Sequence, residues 1–204
     1  IVAMLYMWWF GPSKKPDPAM SVNGVLAGLV AITAPCAFVD TWAAVVIGAV
    51  AGVLVVLATF AVERMKIDDP VGAAPVHMIN GMWGVLAVGI FANGNPDTAA
   101  WNGVPTPVTG LLYGSSTQII AQLAEVGAIF VTVFVLGYVF FKIVNAIGWL
   151  RARPQDELAG LDVPEMGAPG YTTDDVVMHG GLPGPRFKGS TSTMRAVSSA
   201  TIIR

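Results

Sequence analysis

Charge is what this sequence has least of. Only 12% of its 204 residues are Asp, Glu, Lys or Arg, about half the share found in an ordinary soluble domain. The formal net charge of −2 supplies no basic face, which leaves no nucleic acid among the expected partners. Cysteine is nearly missing as well. Cys36 stands alone, so no disulfide forms within the chain, and its place in an apolar run marks it as a small packed hydrophobe. Histidine occurs only as His77 and His179. No HExxH, P-loop, nucleophile elbow or glycine-rich dinucleotide fingerprint is present, and no cluster of titratable groups falls within the apolar runs. The expectation is a protein that is not an enzyme and carries no metal and no cofactor.

What fills the space left by charge is hydrocarbon. Hydrophobic residues make up 54% of the chain, and Trp42 to Val62 is 21 consecutive residues without a charge. A large soluble core would break such a run at surface positions, so the composition is that of a membrane protein. The opening IVAMLYMWWF has neither the basic start nor the small-residue cleavage site of a signal peptide. At ten residues it measures about 15 Å as a helix, half of a bilayer core. The expectation is that the chain begins inside a span and that part of the protein precedes it.

Four further spans are predicted: Val22 to Val39, Trp42 to Val62, Val71 to Ala92, and Ile119 to Leu150. With the partial span at 1–10, they give a transmembrane domain over residues 1–150. Only Asp40 and Thr41 separate the first pair, which forces an antiparallel hairpin. The last span is too long for the hydrocarbon and must tilt or project. Glu125 and Lys142 bracket its continuous apolar part and are expected to snorkel to opposite interfaces. Pro35 must break or kink the first of these spans. Gly24 with Gly28, and Gly48 with Gly52, have the spacing of tight helix crossings. Lys14, Lys15, Arg64, Lys66, Lys142, Arg151 and Arg153 all fall on one side of an alternating five-segment path, so the C-terminus is placed in the cytoplasm. Residues 93–118, rich in Gly, Pro, Asn and Thr, are predicted as an external loop. Residues 151–171 read as a polar tail and 172–204 as a disordered end, with His179 inert.

Asp69 followed by Pro70 is a helix start: the carboxylate caps free amides, and proline loses nothing at the first helical position. Two turns further lies His77, with Ala73, Gly81, Gly84 and Val88 on nearly the same face by spacing. Small neighbours allow a second helix to approach, so this face is expected to point into protein. An ionisable group within a span is a functional-site hypothesis by default; the alternative is a packing histidine bonded to a carbonyl.

Three stretches in register, NGVLAGLVAIT (Asn23 to Thr33), DDPVGAAPVHMINGMWG (Asp68 to Gly84) and ELAGLDVPEMGAPGY (Glu157 to Tyr171), resemble the C-terminal half of the ammonium transporter and Rhesus protein family. The resemblance implies an all-α polytopic bundle, half of an eleven-span inverted-repeat fold, covering spans seven to eleven. It implies a homotrimer in the cell membrane, with a narrow apolar pore in each subunit that conducts ammonia past two stacked histidines. His77 matches the second of these, while Asn23, Ala73 and Gly81 match positions near the pore or its packing. It also implies that 157–171 is a docking surface for PII-class signal proteins. The family's usual His-Gly-Glu in that tail reads Met166, Gly167, Ala168 here, which puts PII regulation in doubt more than transport. An ammonium sensor or scaffold without turnover, and a non-functional fragment, stand as the alternatives.

Overall fold

The computed structural model describes residues 1–168. Residues 169–171 of the expected tail and the whole expected disordered end, with His179, lie outside the described residues. The chain forms two compact units, Ile1–Val139 and Phe140–Arg204. Seven helices occur among the described residues: α1 (Val2–Phe10), α2 (Pro18–Thr33), α3 (Thr41–Arg64), α4 (Ala74–Phe91, whose first turn is π-helical), α5 (Pro96–Trp101), α6 (Thr117–Ala146) and α7 (Pro154–Ala159). Of these, α3, α4 and α6 are long and apolar enough to cross a bilayer. The 16 residues of α2 rise about 24 Å. No strand forms among the described residues, and the protein is a helical membrane bundle.

Where the helices begin and end follows from a few residues. The predicted first full span starts earlier than expected, at Pro18, because Asp17 accepts a hydrogen bond from the Met20 amide at 2.8 Å and Pro18 takes the first position. It also stops earlier, at Thr33. Pro35 has no N–H to continue the ladder, and residues 34–38 turn instead. Cys36 falls in that turn, so its thiol is exposed rather than packed and donates to the Thr33 carbonyl at 3.3 Å.

Helices α1 to α4 pack together through small residues. A Cβ on Gly84 of α4 would stand 2.6 Å from the Ala31 carbonyl oxygen of α2, so only glycine permits this approach. Each of the two glycine pairs contributes one such contact: Gly24 abuts Ala3 and Gly52 abuts Val2, while nothing approaches Gly28 or Gly48. Two apolar clusters fill the interior, one around Ala27, Val55, Val56 and Val76, the other around Ala31, Ile47 and Ala87. Trp83 of α4 donates its indole N–H to the Ile47 carbonyl at 3.1 Å, tying α4 to α3.

The connection before α3 is pinned by polar groups. Asp40 makes no side-chain cap to its own helix. Its carboxylate instead accepts from the Tyr113 hydroxyl at 2.5 Å and from Asn93 Nδ2 at 2.9 Å, and the Asn93 amide donates to the Phe38 carbonyl at 2.8 Å. Three connections far apart in sequence meet at this point. The Tyr113 hydroxyl, and then Asn93, hold the Asp40 carboxyl below its ordinary range, and Asp40 pushes the Tyr113 phenol up.

In the second unit, α7 is followed by a π-helical turn over Asp162–Met166, and Arg151 faces Glu157 at 3.7 Å, both largely exposed. Such a pair contributes little.

The clamp at Asp40 makes a pH prediction. A carboxyl lowered on folding stabilises at pH values above its unfolded value, and that gain is lost as pH falls through the folded one. A phenol raised on folding stabilises below its unfolded value, and that gain is lost as pH rises through the folded one. Tyr113→Phe is therefore expected to speed hydrogen exchange at the Asn93 amide at neutral pH, and to have no effect once Asp40 is protonated. An effect equally large in acid would contradict this account.

Candidate functional site

His77 sits in the first turn of α4, and that turn is not α-helical. Ala74–Ile79 form a π-helical turn, a rare conformation that is frequent at functional sites. The sequence explains it locally. Pro75 has no N–H, so the Val71 carbonyl four residues earlier loses its donor. Asn23 of α2 supplies the replacement, its Nδ2 donating to Val71 O at 3.2 Å. The carbonyl of Pro75 in turn accepts from Asn80 Nδ2 at 2.8 Å. Asn80 is fully buried, and its Oδ1 has no partner among the described residues. An open buried acceptor costs about 1–3 kcal/mol, so an amide is retained here for the carbonyl it satisfies.

The entry to the turn is equally specified. Both Asp69 oxygens accept main-chain N–H groups, Ala73 at 2.8 Å and Ala74 at 2.9 Å. Asp69 thus caps α4, but across a turn rather than directly: Pro70 lies in that turn and is not the first helical residue. The reason is Gly72, at φ +73°, where the left-handed backbone delays the helix. A Cβ on Gly72 would stand 2.7 Å from Asn23 Nδ2, so the missing side chain also admits the amide. The Asp-Pro start expected at Asp69 and Pro70 is realised in its direct form at Asp17 and Pro18.

The π-helical turn also changes which residues share a face. It carries an extra residue relative to an α-helical turn, so a spacing of four no longer keeps one direction. Ala73 and His77 are exposed, Gly81 is half-buried, and Gly84 and Val88 are buried. The face expected to point uniformly into protein turns from open to buried along its length.

The His77 imidazole has no hydrogen-bond partner among the described residues. It lines an open apolar cleft of about 520 Å³ between α4 and α6. Gly81 and Val85 continue its wall of the cleft, and Val126, Phe130 and Phe134 form the other. The Phe130 and Phe134 rings stack with centroids 6.0 Å apart. His77 is the only titratable side chain on α4. No set of three or more metal-ligating side chains occurs among the described residues.

Asn80, Pro75 and Asp17 were not singled out from the sequence. The signal was present in the first two: a proline and a side-chain amide flanking a histidine within one apolar run.

If Asn23 substitutes for the N–H that Pro75 lacks, restoring that N–H makes Asn23 dispensable. Asn23→Ala is expected to destabilise the protein in detergent by about 1 kcal/mol or more, and by clearly less in a Pro75→Ala background. An equal cost in both backgrounds would show that Asn23 acts elsewhere.

Comparison with known proteins agrees with this architecture. Residues 1–171 match the Ammonium Transporter Family. The chain is 42% identical to the ammonium transporter Amt2 of Archaeoglobus fulgidus over 172 residues, which is 84% of this chain and 36% of that protein. It is 34% identical to an ammonium transporter of Bacillus subtilis, covering 78% of this chain and 38% of the relative. Among solved structures, Mep2 of Saccharomyces cerevisiae superposes with a TM-score of 0.67 at 28% identity, covering 76% of this chain and 34% of Mep2. A structure described as a sensor Amt protein gives 0.65 at 34% identity, covering 80% and 38%. The chain thus spans about a third of the length of these relatives. On the family match over 1–171, the identity to its transporters and the shared helical fold, the chain belongs to the ammonium transporter family.

Proposed function

We propose that this chain is part of a membrane transporter that moves ammonium as ammonia, with the proton relayed separately, and that His77 is the imidazole at the conducting path. The observation that carries the reading is an unbonded imidazole on an apolar cleft walled by aromatic rings. A hydrated cation cannot enter such a space without losing its water, at a cost of tens of kcal/mol for an isolated ion. Neutral ammonia loses far less. An imidazole donates and accepts hydrogen bonds without carrying a fixed charge, so it offers ammonia a partner and offers the proton a route.

The other walls of the path, including the first of the two stacked histidines, belong on this reading to spans beyond this chain, in the half of the family fold that it does not resemble. Homotrimer formation, placement in the cell membrane with a cytoplasmic C-terminus, and a PII-class partner at the tail are parts of the same proposal. Glu157 to Ala168 carries that tail, with Met166 and Ala168 in place of the usual polar pair. At the N-terminal end of α4, Asp17, Glu63 and Asp69 border an open cavity of about 540 Å³. Carboxylates at that mouth favour the cation once its proton returns.

A second reading has one observation in its favour, the likeness to a sensor Amt protein. A sensor would bind ammonium without turnover. Uptake of labelled methylammonium by the intact protein separates the two: sustained uptake supports transport, and saturable binding without uptake supports sensing.

His77→Ala in the intact protein is expected to reduce ammonium-evoked current by at least about tenfold or to abolish its selectivity over other cations, the scale of one lost charge-assisted contact. Undiminished and equally selective current would remove His77 from the mechanism.

A further inference from the structure

An open hollow of about 400 Å³ lies between α1 and α3, walled by Tyr6, Phe10, Leu57 and Phe60 and edged by Glu63 and Arg64. Its volume is that of a small-molecule site. Val2, at the start of α1, touches the middle of α3, where a Cβ on Gly52 would stand 2.8 Å from Val2 Cβ. Further along α1, the Tyr6 and Phe10 rings pack with centroids 5.4 Å apart. On α3, Leu57 is followed by Phe60, Ala61 and Arg64 at spacings of three, four and seven, so the four share one face. An apolar strip about 10 Å long thus ends in a guanidinium.

The helices themselves set the level of this hollow. Arg64 is the last residue of α3, a 24-residue apolar helix long enough to cross a bilayer, and the end of such a span lies among lipid headgroups. Trp8 and Trp9 are exposed beside Phe10 on α1. Tryptophan concentrates at that same level. Lys14, Lys15 and Lys66 are exposed just beyond the two helix ends.

The two charges at the hollow are not spent on each other. Neither the Glu63 carboxylate nor the Arg64 guanidinium has a side-chain partner among the described residues. Nearby charges are committed elsewhere: Lys14 donates to the Trp9 carbonyl at 2.7 Å, and Asp17 and Asp69 cap α2 and α4. Lys15, Lys66 and Asp68 do not line the hollow, while Glu63 also borders the cavity at the start of α4. What remains is one carboxylate, one guanidinium and an apolar wall leading from them along the span. An anionic headgroup would satisfy Arg64 and be repelled by Glu63. A zwitterionic one satisfies both.

We infer that this hollow binds a zwitterionic aminophospholipid of the phosphatidylethanolamine class. Its phosphate lies on Arg64, its ammonium on Glu63, and an acyl chain along Phe60, Leu57 and Phe10. A guanidinium holds a phosphate through paired, charge-assisted N–H···O bonds. A primary ammonium brings N–H donors to a carboxylate, which the quaternary nitrogen of a choline headgroup lacks. The lipid binds intact, with no covalent step. The inference rests on the membrane-surface end of α3 and not on the route of ammonium, so it stands or falls apart from His77.

Two measurements on the intact protein test it. In native mass spectrometry of delipidated protein, phosphatidylethanolamine is expected to bind at least about threefold more tightly than phosphatidylglycerol or phosphatidylcholine with the same chains, the scale of one exposed ion pair. Glu63→Gln is expected to remove that preference by weakening phosphatidylethanolamine alone, and Arg64→Gln to weaken all three lipids. Equal affinities in the unaltered protein, or a preference that survives Glu63→Gln, overturns the site. The second measurement needs no variant. In proteoliposomes, a phosphatidylethanolamine with a photoreactive acyl chain is expected to crosslink to peptides carrying Phe10 or Leu57 and Phe60, and unlabelled phosphatidylethanolamine to compete better than phosphatidylglycerol. Crosslinks confined to other peptides would show the hollow filled by another part of the protein or by a second copy, and that result overturns the site. Equal competition by phosphatidylglycerol overturns it as well.

Discussion

In hydrocarbon a main-chain carbonyl that loses its donor has no water to turn to, and must be answered from within the protein. Pro75 creates that debt at Val71, two residues before the one histidine of α4, and Asn23 on a different helix settles it. The rest of the site follows. Because the donor comes from α2, the start of α4 cannot move independently of α2. Because Gly72 has no side chain, the amide can reach. Because Asn80 holds the Pro75 carbonyl, the turn stays π-helical and His77 is rotated away from the stripe that buries Gly84 and Val88.

Rotation is what separates an imidazole facing the cleft from a packed one. A regular α-helix from Ala73 onward would have carried His77 on the same face as Gly84, the face that packs on α2. The π-helical turn lets one helix do two things: pack closely through glycine over its second half and present a polar ring to an apolar cleft near its start. Helix α6 approaches α4 toward the C-terminal end of α4, where Gly89 meets Ile119. That approach depends on glycine, since a Cβ on Gly89 would stand 2.7 Å from Ile119 Cα.

Much of this was legible in the sequence for physical reasons that can be named. Uncharged runs of more than twenty residues mark a membrane bundle whatever their neighbours do, and a histidine in such a run stands out because nothing near it can ionise. Asp69 was readable as a cap because its chemistry is local. What the sequence hid depends on partners far away. Asn23 is 48 residues from the carbonyl it serves, and nothing in NGVLAG says that a proline elsewhere will need its amide. The change from open to buried along the His77 face was hidden because a spacing of four presumes an α-helix, and the π-helical turn arises from Pro75 and Asn80 acting together. Cys36 was misplaced for a related reason, a helix assumed to run past Pro35.

The central claim is that the His77 ring, freed of protein hydrogen bonds by the turn that carries it, meets ammonia directly. Nitrogen-15 solid-state NMR of the His77 ring in the intact protein in bilayers addresses this without altering a residue. The account predicts that both ring nitrogens lack a main-chain partner and that at least one resonance moves on addition of ammonium, saturating with the transport current. A ring nitrogen bonded to a main-chain carbonyl, or resonances that ignore saturating ammonium, would contradict it.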